Sequence, residues 1–303
     1  MSDKVIFIGS KSLGYHVLKT MYELNPEILD ACITMDDITD SRSCLKDIKE
    51  YCAVHDICYF EMVGSCDISE IILERKPDIC FVVGWYKIIP SHILNSVPKG
   101  FLGIHNSLLP AYRGQAPLVW AMIQGEKKVG FSLFSFTEEM DEGDIWAQEA
   151  VIINENVYIS DVLQVFEERA VGLFKRIYLK IIDGSIHPLC QAGQISYCGK
   201  RDKDSGLIDW KKSARDVLLE IHAQSKPYPG AYTIWNDERL IIWKARKFEY
   251  KFIGIPGRVG LIMHGDIIVA CGESTAIVLE DVEYGKYRGN PNKIIKSLNT
   301  KFL

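Results

Sequence analysis

The sequence predicts an α/β protein: a doubly wound, mostly parallel sheet over residues 1–200, followed by a small β-barrel over residues 201–303. Three observations predict it. Short β-branched apolar runs alternate with helical stretches along the first two hundred residues, the rhythm of βαβ crossovers. A glycine turn, Gly9-Ser10-Lys11-Ser12-Leu13-Gly14, separates the first run from the first helical stretch. Beyond Cys198 the alternation stops, and five short β-rich runs follow one amphipathic helix.

Taken in order, residues 5–8 read as a strand, and Val17, Leu18, Met21 and Leu24 keep helical spacing after the glycine turn. Runs at 31–35, 57–60, 79–83 and 101–104 read as strands, with helices at 45–54 and 68–73 between them. Residues 129–136 and the neighbourhood of Trp146, where 144–148 lead into 150–153, supply two later strands, and 160–182 form a long helix that Asp183-Gly184 stops. Residues 199–206 are a charged connector. A helix at 213–223 then precedes strands at 231–235, 239–246, 257–263, 267–271 and 276–282.

Composition excludes several classes. With 303 residues, 48% hydrophobic and 25% charged, the chain can bury a sizeable core. No apolar run approaches the ~18 residues of a spanning helix, and Met1-Ser2-Asp3-Lys4 leads into the first strand without a cleavage site, so neither a membrane span nor a secretory signal is expected. Nine cysteines at 32, 44, 52, 58, 66, 80, 190, 198 and 271 include no Cys-x-x-Cys, which predicts reduced thiols and a cytoplasmic setting. A net charge of −5 and a pI near 5.9 argue against a surface that tracks nucleic acid.

The glycine turn is not Gly-x-Gly-x-x-Gly, and Asp36-Asp37 is a thin substitute for a ribose-binding acid, so it reads as a tight turn and not as a dinucleotide site. Chemistry is expected at Gly103-Ile104-His105-Asn106-Ser107-Leu108-Leu109-Pro110-Ala111-Tyr112-Arg113-Gly114. This stretch leaves the carboxyl end of a strand, where open α/β sheets hold their ligands. The acidic loop Thr137-Glu138-Glu139-Met140-Asp141-Glu142-Gly143-Asp144 offers carboxylates that could orient an imidazole or relay a proton. His16, His55, His92, His187, His222 and His264 occur singly, without a second ligand at metal spacing, so no metal is expected.

His-x-Ser-Leu-Leu-Pro-x-Tyr-Arg-Gly followed by Asp-x-Gly resembles the signature of the formyltransferases that use N10-formyltetrahydrofolate, which act on glycinamide ribonucleotide, methionyl-tRNA or nucleotide sugars. Gly206-Leu207-Ile208-Asp209-Trp210 and Pro227-Tyr228-Pro229-Gly230-Ala231-Tyr232 resemble the carboxyl-terminal domain of the latter two groups, so the likeness covers nearly the whole chain. The resemblance implies a Rossmann-like formyltransferase fold with an OB-like tail, catalysis by His105 and Asp141, and N10-formyltetrahydrofolate as co-substrate. It implies a folate site at Gly84, Trp85, Tyr86, Lys87, Ile88 and Ile89, closed by Thr137, Glu138, Glu139 and Met140. One position departs. The family's Asn two residues before the His is Gly103 here, so Asn106 or a backbone donor would take its part, or the oxyanion site is weaker. His105 would serve as base and oxyanion donor in turn, with Asp141 fixing its tautomer.

Three acceptors follow from the resemblance. A glycinamide ribonucleotide enzyme would end with the first domain. A tRNA enzyme needs a basic face, yet residues 1–200 carry 18 Lys+Arg against 27 Asp+Glu, and 201–303 carry 17 against 13. A UDP- or dTDP-linked 4-amino-4,6-dideoxyhexose destined for a surface glycan such as lipopolysaccharide fits better. Its contacts are expected at Ser107, Leu109, Pro110 and Arg113, the last on the diphosphate, with the base on Tyr228, Tyr232 or Trp235. Methionyl-tRNA is the alternative acceptor, and a folate-binding relative without activity is a third reading. Neither a nucleic-acid nor a membrane partner is expected, and a homodimer stays an open option.

Overall fold

The computed structural model describes residues 3–64 and 67–303, so Cys66 lies outside the described residues. They form two compact units: Met1–Pro117, Gly130–Val151 and Gln164–Cys198 make the first, and Leu118–Val129, Ile152–Leu163 and Gly199–Leu303 the second.

In chain order the first part runs β1 (Val5–Gly9), α1 (Lys11–Leu24), β2 (Leu29–Met35), α2 (Leu45–Val54), β3 (Cys58–Met62), α3 (Ser69–Arg75), β4 (Ile79–Val83), α4 (Ser91–Leu94) and β5 (Phe101–His105). It continues with β6 (Arg113–Gly114), α5 (Pro117–Ile123), β7 (Lys128–Ser135), β8 (Ile145–Ile152), α6 (Ile159–Ile182) and β9 (Tyr197–Cys198). Seven strands form one sheet in the order β3-β2-β1-β4-β5-β7-β8. Pairing is parallel from β3 to β5 and antiparallel between β5 and β7. This is the doubly wound α/β architecture that the alternating runs predict.

The runs at 5–8 and 79–83 are apolar throughout because β1 and β4 are central and buried on both faces. Ile6, Ile8, Cys80 and Val82 pack into one apolar layer with Ile89, Ile93 and Phe101. On α6, Phe166, Phe174 and Tyr178 bury, and their rings meet Phe131 and Phe81. The glycine turn is a packing device: a Cβ on Gly9 would lie 2.2 Å from the Val83 carbonyl oxygen, and one on Gly14 2.8 Å from it. One boundary moves the site: β5 runs one residue past 101–104 to include His105, which the ladder pairs with Ser132, while β8 covers the neighbourhood of Trp146 as expected. α5 and the two-residue strands β6 and β9 were not expected: the strands are too short to show a period, and α5 is apolar at every position and so shows no polar face.

The second unit holds α7 (Ala214–Gln224), β10 (Ala231–Trp235), β11 (Glu238–Lys247), β12 (Val259–Met263), β13 (Asp266–Ala270), β14 (Ala276–Tyr284) and β15 (Tyr287–Gly289). The antiparallel order is β10-β11-β14-β13-β12, with β15 beside β14. Residues 300–303 bridge the two outer strands. Leu303 exchanges both backbone hydrogen bonds with Ile234 on β10, and the Val259 N–H on β12 donates to the Thr300 carbonyl at 3.1 Å. Phe302 fills the space beneath, stacked on Trp210 at 5.7 Å. Ser213 caps α7 by accepting the Asp216 N–H, and Val217, Leu218 and Ile221 enter this core.

His222 on α7 is buried, and its Nδ1 lies 2.8 Å from the Glu155 carbonyl. Burial holds the imidazole below its ordinary value, the carbonyls of Glu155 and Ala245 opposing only in part. As pH falls, the unfolded chain therefore takes up this proton first. The stability is complete above the ordinary value of 6.5 and declines on descent, until the folded-state value is passed. Thermal unfolding followed from pH 7.5 to 5 should show a falling Tm. His222→Gln, which keeps a donor for Glu155, should flatten that slope, and an unchanged slope would place the titration elsewhere.

Among the described residues no helix is long and apolar enough to cross a membrane.

Candidate active site

β5 delivers His105 to the carboxyl end of the sheet, beside the end of β4, in a register that pairs Val82 with Gly103. The His105 ring is nearly buried. Its Nε2 lies 2.8 Å from the Tyr112 carbonyl, so Nε2 carries the proton and donates. Nδ1 is left facing Asp141 Oδ2 at 3.6 Å. The Tyr112 carbonyl therefore sets the tautomer, which corrects the expectation that Asp141 does so. The Asp141 carboxylate accepts the Gly114 N–H at 2.8 Å.

Gly103 has no room for a side chain. A Cβ there would lie 2.3 Å from the Phe136 ring and 3.0 Å from the Val82 carbonyl. Phe136 is anchored by its N–H on the Phe101 carbonyl at 2.7 Å, and from there the loop runs up to bring Asp141 to His105. Among the described residues Asn106 Oδ1, directly after β5, and Trp85 Nε1, two residues after β4, are buried without a partner, as is Thr34 Oγ1 near the end of β2. Buried polar atoms are nearly always satisfied, so an orphan acceptor and an orphan donor at neighbouring strand ends suit a bound ligand. They fit a folate that presents acceptors to Trp85 and an amine that presents N–H to Asn106.

The other residues expected at the folate site divide. Tyr86, Ile88 and Met140 are exposed, as are Thr137, Glu138 and Glu139. Lys87 Nζ donates to the Gly64 carbonyl at 2.6 Å, Thr137 Oγ1 to the Glu139 carbonyl at 3.1 Å, and Glu138 accepts from Asn95 Nδ2 at 3.3 Å. Lys11 Nζ stands 5.5 Å over the Tyr86 ring.

The residues expected at the nucleotide sugar are placed differently from that expectation. Ser107 is buried and donates to the Ala111 carbonyl at 2.6 Å. Ser132 Oγ donates to the Ser107 carbonyl at 2.7 Å and accepts the Leu109 N–H at 3.0 Å, while Gln148 Nε2 donates to the Leu109 carbonyl at 2.8 Å. Ser107, Leu109 and Pro110 therefore shape the loop from within and present nothing polar outward. Arg113 is 4% exposed. Its Nη1 pairs with Glu142 at 2.5 Å and donates to Tyr197 Oη at 3.2 Å, and its Nη2 donates to Gln191 Oε1 at 2.7 Å. A guanidinium spent in this way is not available as the expected diphosphate clamp. In the second unit Tyr232 is buried, with the Arg239 guanidinium 4.2 Å over its ring, which removes the open face that base stacking needs. Tyr228 is half-buried, its N–H donating to the Ser225 carbonyl at 3.1 Å. Trp235 packs against Tyr284 at 4.8 Å.

Sequence reasoning passed over Gln191, Ser196 and Tyr197. They lie in a segment without hydrophobic period, yet Ser196 Oγ accepts the Tyr112 N–H at 2.8 Å and the Ser196 carbonyl accepts the Arg113 N–H at 2.8 Å. The only sequence signal was the length of the stretch between the long helix and the connector.

Residues 61–176 match the family model described as formyl transferase, and residues 200–299 match that of the formyl transferase carboxyl-terminal domain. A methionyl-tRNA formyltransferase of Clostridium novyi is 30% identical over 289 residues, covering 93% of this chain and 92% of that protein. The bifunctional polymyxin resistance protein ArnA of Wigglesworthia glossinidia brevipalpis is 29% identical over 279 residues, 91% of this chain, which spans 42% of the length of that relative. Among solved structures, an N-formyltransferase from Helicobacter canadensis, crystallised with folinic acid and dTDP-3-aminofucose, superposes with a TM-score of 0.70 at 19% identity. It covers 92% of this chain and 99% of its own, a likeness of fold. Both family models match in chain order and the identity extends along nearly the whole sequence, so the chain belongs to the formyl transferase family and is a formyltransferase, an enzyme class that draws on formyl-tetrahydrofolate.

Proposed function

We propose that the protein moves the formyl group of N10-formyltetrahydrofolate onto the amine of a nucleotide-linked amino sugar. The neutral amine attacks the formyl carbon, its proton passes to His105 Nδ1, and the C–N10 bond breaks as N10 takes up that proton, which returns His105 to its neutral form. His105 is suited to this because Nε2 is committed to the Tyr112 carbonyl, which leaves Nδ1 as the basic nitrogen. Asp141 at 3.6 Å stabilises the imidazolium so formed. Asn106 Oδ1, an unmet acceptor, orients the amine through its N–H, and Trp85 Nε1 serves the folate side. Phe136 occupies the space in which a side chain at 103 would stand, so the formyl oxygen draws no donor from that position.

The observation that carries the choice of acceptor is the loop after β2. Lys11 pairs with Asp37 at 2.5 Å and Asp40 at 2.8 Å, and Arg42 with Asp40 at 2.7 Å, so the cations next to this loop are already neutralised by its carboxylates. A polyanionic RNA needs several uncommitted cations in a stripe. The dTDP-amino sugar in the Helicobacter canadensis enzyme supports the same reading, and the base and sugar epimer are left to experiment. A second reading, formylation of methionyl-tRNA, is favoured by the Clostridium novyi relative, whose length this chain nearly matches.

Release of tetrahydrofolate by purified protein, offered UDP- and dTDP-linked 3- and 4-amino sugars and charged methionyl-tRNA in parallel, separates the readings. Turnover is expected with a nucleotide sugar alone. Efficient formylation of methionyl-tRNA with no sugar turnover would establish the second reading, and folate binding without turnover on any acceptor would identify a non-catalytic relative.

A further inference from the structure

Asp141 has a φ of +55°, in the left-handed region that Asn and Asp adopt more readily than other L residues, in a loop without helix or strand. No regular element fixes this backbone, and groups from outside the loop hold it. Gln191 Nε2 donates one hydrogen to the Asp141 carbonyl at 2.7 Å and the other to the Gly143 carbonyl at 2.8 Å, across fifty and forty-eight residues of chain. Its Oε1 accepts from Arg113 Nη2 at 2.7 Å and from Nε at 3.3 Å. Arg113 closes the ring by pairing with Glu142, the residue between the two carbonyls that Gln191 binds. Gly114, next in chain to Arg113, donates its N–H to the Asp141 carboxylate.

From this arrangement we propose that Gln191 is a positioning residue for the reaction: it locks the backbone of residues 141–143 so that the Asp141 carboxylate faces His105 Nδ1. A glutamine is the right group. Its amide supplies two parallel donors for two carbonyls spaced one residue apart, and the opposite oxygen receives a guanidinium from the far side. Lysine would lack the acceptor, and glutamate the donors. The distance of 3.6 Å between His105 Nδ1 and Asp141 Oδ2 already exceeds a hydrogen bond, so a small drift of the loop weakens the interaction further. Misplacement by about 1 Å can cost about a hundredfold in rate.

The inference rests on the proposed roles of His105 and Asp141, and its test has a part that does not need them. Gln191→Glu keeps the acceptor for Arg113 and so preserves the fold, but sets an oxygen against the two carbonyls. Gln191→Met removes the polar group at similar size. With the wild-type acceptor identified, both variants should lose about ten- to hundredfold in kcat while KM for folate and acceptor changes less than about threefold. Unchanged kcat, or a loss confined to KM, would overturn the proposal. Hydrogen exchange of the Gly114 amide reports the placement of the Asp141 carboxylate without substrate. It should be at least about tenfold faster in both variants, with the amides of β5 as protected as in the wild type. Wild-type protection of Gly114 would overturn the proposal even if no acceptor turned over, an outcome that by itself counts only against the functional reading.

Discussion

His105→Ala is expected to lower kcat about a thousandfold, the range in which removal of a positioned base falls, equivalent to about 4 kcal/mol of barrier. The free Nδ1 is there because the Tyr112 carbonyl holds Nε2, and that carbonyl belongs to a loop that Ser196 braces. Asp141→Asn should cost about a hundredfold, less than loss of the base, because the amide still accepts the Gly114 N–H but no longer stabilises a charge on His105. KM for both substrates should change little, and circular dichroism with thermal unfolding should match the wild type. Rates near wild type in either variant, measured as tetrahydrofolate released, would remove that residue from the mechanism.

Arg113→Met is the second large effect, and the structure changes its sign from the one the sequence suggests. An arginine on the diphosphate would, when replaced, raise KM for the sugar nucleotide and leave stability alone. This arginine is buried among Glu142, Gln191 and Tyr197, so its loss should instead cost about 3 kcal/mol of stability. Glu142 can recover water because it is partly exposed, but Gln191 Oε1 loses both of its donors. Urea denaturation measures the first effect. Steady-state kinetics should show kcat reduced with the sugar-nucleotide KM within about threefold. Full stability with a strongly raised KM would return Arg113 to the diphosphate.

Much of this architecture was legible in the linear sequence, for physical reasons that can be named. Central parallel strands are buried on both faces, so β1 and β4 are unbroken apolar runs. Helices α2 and α6 write their packing face at a spacing of three to four residues. His105 was legible as a candidate because it ends such a run, and the carboxyl ends of parallel strands open onto the ligand crevice. Asp141 was legible only through its spacing from His105 in a motif, since nothing local distinguishes it from the four carboxylates around it. These features depend on near neighbours in the chain, which a sequence displays directly.

The tertiary structure decided what depends on partners far away. Whether Arg113 faces a ligand or a carboxylate is set by Glu142 and by Gln191, seventy-eight residues on, and no local pattern encodes that meeting. Phe136 closes the space at Gly103 from across an antiparallel strand pair, so the glycine in the sequence could not say what stands in its place. Residues 300–303 are too few to show a period, yet they hydrogen-bond to β10 and β12 and bury Phe302. Short segments such as these carry no period because one or two long-range hydrogen bonds, not a repeating face, hold each of them. The sequence by itself therefore determined the order of the strands and helices and the family signature, while the orientation of polar groups around His105 came from the fold, which alone brings distant donors and acceptors within 3 Å of each other.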